Sequence, residues 1–461
     1  MIRLAVLLVG VDAMRRKWPV LAAIGFIWMA LAIAIIFDAA DGVTVVATHS
    51  FGYLLIVEGA IAFVMMIGAG GGTALYIARG IILMILGCMI ADVPVRIDVA
   101  NSILFGAAFM IDGIARIATA WTIRYPRWQL VALGGVIEIV LGGIAFASWP
   151  VSYRKTVPFC VGVALLITGF NALRIGLLLR RLPREGRLGA LPLFAIRGWH
   201  EAAPVPAAAP STAPPKLTHK EPLVLHVWTP VGSATDPARR PLIDRYIAAV
   251  DGKGVISTGH ASLELKPDVY VSHYPAVEID HSPDDFASLL RASAENDVKG
   301  RFQPSYDYEV ADWVEADQHI KFRRYDPAKL RAFWAVYRQS DTYNLTNRNC
   351  SVSAAVALDA ALEGVLASRF VWSRFFLLMI NPDLWLAAML RFRAESMTWT
   401  PGLVLDYARA VRRVTEPLDR GWLGRAQDTL RRWQETREFA RRRREAAAAV
   451  ARHLGKPRIS A

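Results

Sequence analysis

Residues 343–362 read YNLTNRNCSVSAAVALDAAL, and the second half of the chain takes its fold from how they are read. TNRN supplies turn and capping residues, and the run after it places Ala and Leu at helical spacing, so a helix is expected to begin at or next to Cys350. A thiol there meets the partial positive charge of the helix N-terminus, which favours the thiolate and lowers its pKa. A lone cysteine in such a place is more often a small buried residue. Nucleophilic chemistry needs more: a base within reach and a compartment that keeps the thiol reduced.

Upstream of this helix the pattern changes to strands. PLVLHVWTP (222–230) predicts a strand, and a helix is expected near 240–250. GVISTGHASLEL (254–265) and DVYVSHYPAVEI (268–279) predict two strands joined at KPD. In the first, His260, Ser262 and Glu264 share one face and Ala261, Leu263 and Leu265 the other; in the second, Val269, Val271 and His273 share a face. That alternation predicts an antiparallel sheet with one apolar, buried side. HIKFRRYD (319–326) predicts another strand and DPAKLRAFWAVYRQSD (326–341) a helix. His260 is the natural base for Cys350, and His273 on the paired strand is placed to orient the imidazole. His226 is expected to be structural and His319 exposed.

GHASLEL followed by a strand, with NRNCSVSAAVAL opening a helix, resembles the circularly permuted papain-like fold, in the YiiX-type and lecithin:retinol acyltransferase-like branches of the NlpC superfamily. The resemblance covers about residues 221–365. It implies an α+β domain with Cys350 as nucleophile and His260 as base; His273 fits the third position by spacing, and Glu264 or His281 are alternatives.

The first 180 residues are of another kind. Apolar stretches run Trp18–Phe37, Phe51–Ala69, Ala74–Ala91, Ser102–Ile123, Trp128–Ser148 and Val157–Leu179, each near the ~20 residues that cross a hydrocarbon layer as a helix. The opening MIRLAVLLVGVDAMRRK is too short to span and is expected to lie at the membrane interface as a retained helix. Arg3, Arg15, Arg16, Lys17, Arg124, Arg127, Arg180, Arg181, Arg184 and Arg187 fall on one side of the spans, against Arg96, Arg154 and Lys155 on the other. The excess predicts that the N-terminus and everything after residue 180 are cytoplasmic. The spans look like three copies of a helical hairpin: RGIILMILGCMIADVP (79–94) and GGVIEIVLGGIAFASWP (134–150) share two glycines seven residues apart, and Gly25 with Ala32 echoes them. Small residues at that spacing serve close packing of helices in lipid. Asp112 and Arg116, four apart, can pair on one helix face. Six spans, the glycine-rich repeat and DGIARIATA resemble the HdeD family of bacterial inner-membrane proteins over residues 1–180, a family associated with acid resistance.

Composition agrees with a mixed protein. The 461 residues are 54% hydrophobic, with mean hydropathy +0.31 and net charge +13. Three widely spaced cysteines fit neither a disulfide framework nor a zinc cluster. No GxSxG elbow, Walker loop, GxGxxG or metal-ligand cluster appears, so no cofactor or metal is expected.

The expected architecture is therefore multi-domain. An all-α six-helix transmembrane bundle (1–190) is followed by a Pro/Ala-rich linker (191–220), the α+β permuted papain-like domain (221–365) and a helical, partly apolar and basic membrane-proximal region (366–461). Within the last region, residues 370–390 are expected to form a hairpin lying on the membrane or capping the catalytic domain, and the Arg-rich end suits anionic lipid head groups. Nucleic acid is not an expected partner, for want of an aromatic-interleaved basic sheet. These readings predict a cysteine hydrolase or acyltransferase of the bacterial inner membrane, acting on an amide, ester or thioester of a peptide or lipid through Cys350, His260 and His273. The alternative is a non-enzymatic acid-stress or transport-like protein with a cytoplasmic partner-binding domain.

Overall fold

A computed structural model describes residues 1–41, 52–60, 73–91, 98–125, 128–181, 218–230, 249–250, 256–277 and 286–416. Helices Trp18–Asp41, 52–60, Thr73–Ala91, Asp98–Ile123, Trp128–Ala147 and Thr156–Arg181 fill its N-terminal part. Four helical segments, Trp18–Ala39, Asp98–Ile123, Trp128–Ala147 and Tyr153–Arg181, are long and apolar enough to cross a membrane. The expected second span is described only over residues 52–60. Phe26, Ile111, Leu130 and Ile167 point outward and are exposed, as a lipid-facing surface requires.

The glycine repeat explains how these helices meet. A Cβ added at Gly25 would lie 2.7 Å from the Gly169 carbonyl; at Gly52, 2.7 Å from that of Gly87; at Gly113, 2.6 Å from that of Gly135. A second contact one repeat step along follows in each pair: Gly162 faces Ala32, Gly59 faces Gly80, and Gly142 faces Gly106. Helices therefore touch backbone to backbone wherever the seven-residue glycine spacing falls, with the first packed on the sixth, the second on the third and the fourth on the fifth. Arg116 lies between Asp112 on its own helix (2.7 Å) and Glu138 on the paired one (2.8 Å), so the expected ion pair is a triad across the glycine seam.

The N-terminal helix departs from expectation. Ile2–Val9 is buried rather than interfacial, with Ala5 through Val9 fully covered. The Leu7 and Leu8 carbonyls accept from the amides of Gly364 and Leu366, each at 2.9 Å. RLAVLLV is apolar on every side beyond Arg3, so it has no polar face to leave at a surface. It belongs to the same core as the sheet and the helices around it.

That sheet is antiparallel with strand order β5-β4-β1-β8: β1 is Thr218–Trp228, β4 His260–Leu265, β5 Val269–Val271 and β8 Gln318–Arg324. Two-residue strands β2 (Ala249–Val250) and β3 (Ile256–Ser257) pair with each other. Leu225, Val227, Ala261, Leu263 and Val271 join the core with helix Cys350–Leu362 and helix Pro327–Tyr337. The opposite face was expected to be open, yet every residue of β4 is buried. Helix Tyr306–Asp312 covers it, with Tyr306 stacked on His226 at 3.9 Å. A further change follows Val271. β6 (His273–Pro275) leaves β5 and pairs with β7 (Val298–Phe302), which in turn pairs with β9 (Thr342–Tyr343). His273 therefore sits in a different sheet from His260, although the two-residue alternation placed them on paired strands.

Helices Val371–Met379 and Pro382–Ser396 are bent 72° apart, and helix Pro401–Thr415 packs beside the second. Phe375, Leu378, Leu384 and Ala387 turn inward, whereas Phe376, Leu377, Met389 and Phe392 are exposed. The hairpin thus has one side on the protein and an apolar side outward. Of the expected linker (191–220), residues 218–220 instead open β1 and the rest lie outside the described residues; of the helix expected near 240–250, residues 249–250 are strand β2 and the rest lie outside, as do His281 and the basic tail after residue 416.

Candidate active site

Cys350 is the first residue of its helix because Asn349 caps it: the Asn349 side-chain oxygen accepts from the Val352 amide at 2.8 Å. The capping side chain is itself held, donating to the Leu345 carbonyl at 2.7 Å and to the Trp399 carbonyl at 3.2 Å. The first amides of the helix, including that of Cys350, have no carbonyl to reach within the helix and form a donor-rich end. The helix packs on β4, which brings this end to the first residue of that strand, His260. Cys350 and His260 are both buried and close enough for each to act on the other's charge, with the Ala261 amide beside the sulfur.

His260 Nε2 turns the other way, 3.0 Å from Ser272 Oγ and 3.5 Å from Glu309 Oε1. This leaves Nδ1 as the ring nitrogen for the thiol. Ser272 donates to the same Glu309 oxygen, and the Tyr270 hydroxyl donates to the other at 2.5 Å. Glu309 is 2% exposed. Tyr274 stacks on the imidazole at 4.1 Å and Trp228 lies against it at 5.2 Å, so two aromatic rings hold it.

Electrostatics follow from this packing. Burial opposes charge on His260, but the neighbouring Cys350 and Glu309 charges and their hydrogen bonds override it and raise its pKa to about 9. Burial likewise pushes the Cys350 thiol up, and the imidazolium, with the hydrogen bonds from His260 and Ala261, brings it below an ordinary thiol. Glu309 is also burdened by burial and is held below the usual carboxylate range by His260, Ser272 and Tyr270. The favoured state is thiolate, imidazolium and carboxylate in a row.

The structure brings together two of the three residues expected from the sequence. His273 is elsewhere: its Nδ1 lies 3.0 Å from the Tyr337 hydroxyl, and its ring packs among Phe302, Tyr337 and Tyr343. Burial, then the Arg348 charge, lowers its pKa to about 3, so it is a neutral core histidine. Glu264 is engaged by His226 at 3.2 Å, and His226 in turn meets His319 at 2.9 Å. The group that reaches the base is Glu309, which the sequence reading missed. SYDYEVADW carries five acids or phenols in a short polar run, and no local pattern distinguishes Glu309 from Asp307 or Asp312.

The site lies close to the membrane helices. Asn349 also bonds Thr398 Oγ1 at 3.2 Å, Tyr125 donates to the neighbouring Met397 carbonyl, and Ala292 donates to the Ile123 carbonyl at the end of a span at 2.6 Å. Among the described residues no group of three or more His, Cys, Asp or Glu is arranged to hold a metal. No family model, curated protein or solved structure matches the chain.

Proposed function

We propose that the protein is a membrane-anchored cysteine hydrolase or acyltransferase of the permuted papain-like kind, with Cys350 as nucleophile and His260 as acid and base. The observation that carries this reading is the meeting of Cys350, at a helix N-terminus, with His260 at the start of β4, and Glu309 behind the imidazole. The thiolate attacks an amide, ester or thioester carbonyl, and the oxyanion forms against the amides of Cys350 and Ser351, the two at the helix end that Asn349 does not engage. His260 gives its proton to the leaving amine, alcohol or thiol as the carbonyl bond breaks, leaving an acyl-Cys350 thioester. Water or an acceptor hydroxyl or amine then attacks, passes its proton to His260 and restores the thiolate.

Glu309 is a positioning residue in place of His273. It sets the ring orientation and stabilises the imidazolium, the part a carboxylate plays in such triads. The nearness of the nucleophile loop to Ile123 and Tyr125 favours a peptide or lipid presented at the membrane surface. The basic residues on that side of the spans, Arg124, Arg180 and Arg181 among them, favour the cytoplasmic side of a bacterial inner membrane, where the thiol would stay reduced.

The test is mass spectrometry of the purified full-length protein after incubation with cell lipid or peptide extract. An acyl adduct on Cys350, absent from Cys350→Ser, is the expected result. No adduct on Cys350 with either extract would favour a non-enzymatic partner-binding role.

A further inference from the structure

We propose that a cavity between the last span and the C-terminal hairpin binds the phosphodiester of an anionic phospholipid between Arg3, Arg174 and Arg181. The inference is independent of the cysteine reading. The cavity holds about 890 Å³ and is lined by four arginines, Arg3, Arg174, Arg181 and Arg391, against a single carboxylate, Glu395. That carboxylate is already shared. It accepts from Arg3 at 2.9 Å and from Arg391 at 2.8 Å, and Arg391 also pairs with Asp359.

Arg174 and Arg181 have no carboxylate partner among the described residues, and the Arg3 and Arg174 charges repel each other across the cavity. Thr168, Asn171, Arg174 and Arg181 recur at helical spacing and so share one face of helix Thr156–Arg181. Arg174 lies seven residues inside the helix end, roughly 10 Å below Arg181. A cation at that depth is costly without a counter-charge. A carboxylate supplied by the chain would have been enough, and among the described residues none pairs with Arg174 or Arg181.

The remainder of the lining decides between a lipid and a free anion. Leu177, Leu178, Met379 and Phe392 border the arginines, and Phe392 is 59% exposed towards the outside. A phosphate ester with acyl chains satisfies both halves, the head between the guanidiniums and the chains along the exposed apolar side. Inorganic phosphate would satisfy only one. A zwitterionic lipid would bring its own cation into a site that already has an excess of them.

The experiment uses the full chain in nanodiscs of phosphatidylcholine with phosphatidylglycerol, released into the gas phase to count retained lipids by native mass spectrometry. Wild type should retain phosphatidylglycerol in preference to phosphatidylcholine. Arg174→Gln with Arg181→Gln should cut that retention about tenfold or more. Arg174→Lys with Arg181→Lys should keep most of it, which controls for folding. Arg124→Gln, at a membrane-edge arginine stacked on Trp121, should leave it unchanged. Equal retention by the Gln pair and wild type would overturn the proposal, as would equal retention of the two lipids. Displacement of the lipid by inorganic phosphate at matched concentration would assign the arginines to a soluble anion and overturn it too.

Discussion

At the scale of single residues, the site is a row of three charges whose outer members stabilise the middle one. Replacing Glu309 by Gln keeps the shape and removes the carboxylate behind His260. Turnover should fall by about 10²-fold, within the usual contribution of acid–base assistance. The pH profile separates this from a packing defect. His260 is raised to about 9, so the imidazolium contributes stability fully below the ordinary histidine range and loses it as pH rises through about 9. Cys350 is lowered, so its thiolate is present from below the ordinary thiol range upward and is lost as pH falls. Activity should therefore fall above about pH 9 in wild type, and in Glu309→Gln the same limb should move to lower pH. A Glu309→Gln variant with an unmoved limb would leave Glu309 a structural residue only.

At the scale of elements, much was legible in the sequence. The capping run that ends at Asn349 and the strands expected at 222–230, 254–265 and 319–326, found at Thr218–Trp228, His260–Leu265 and Gln318–Arg324, announce themselves by local chemistry, because capping and alternation act over a few residues. The glycine spacing also foretold close helix contacts, though not that the first helix packs on the sixth. What could not be read depends on distant chain. His273 leaves the sheet because β6 finds β7, and Glu309 reaches the base because its helix folds over the polar face of β4. The glycine seam makes its own prediction. Gly135→Val should destabilise the bundle in detergent by about 1–3 kcal/mol, since its Cβ would approach the Gly113 carbonyl at 2.7 Å. Gly143→Val, on the same helix with nothing within 4 Å, should be nearly neutral, and unfolding followed by circular dichroism compares the two. Equal losses would mean that the seam is not what holds the pair.

At the scale of the molecule, the N-terminal helix makes one body of two halves. Leu4, Val6, Leu7 and Leu8 are all but fully buried against the soluble part, each contributing about 1.5–3 kcal/mol on burial. Residues 218–461 expressed without the first 181 should therefore be poorly soluble or easily melted. Fusing residues 1–17 ahead of residue 218 through a flexible linker should raise the melting temperature. A fragment equally stable with and without the fused helix would show that Ile2–Val9 is a passenger on the C-terminal part.

The central claim is that Cys350 is an activated thiolate, and alkylation measures it directly. Iodoacetamide labelling of the full-length protein in detergent, mapped by mass spectrometry across pH 5–10, should give Cys350 a midpoint below that of an ordinary thiol at about 8.5, with Cys160 far slower. In His260→Ala the midpoint should return to the ordinary range or above it. A Cys350 midpoint at or above that of a free thiol in wild type, unchanged by His260→Ala, would contradict the account and leave Cys350 a packing residue at the start of a helix.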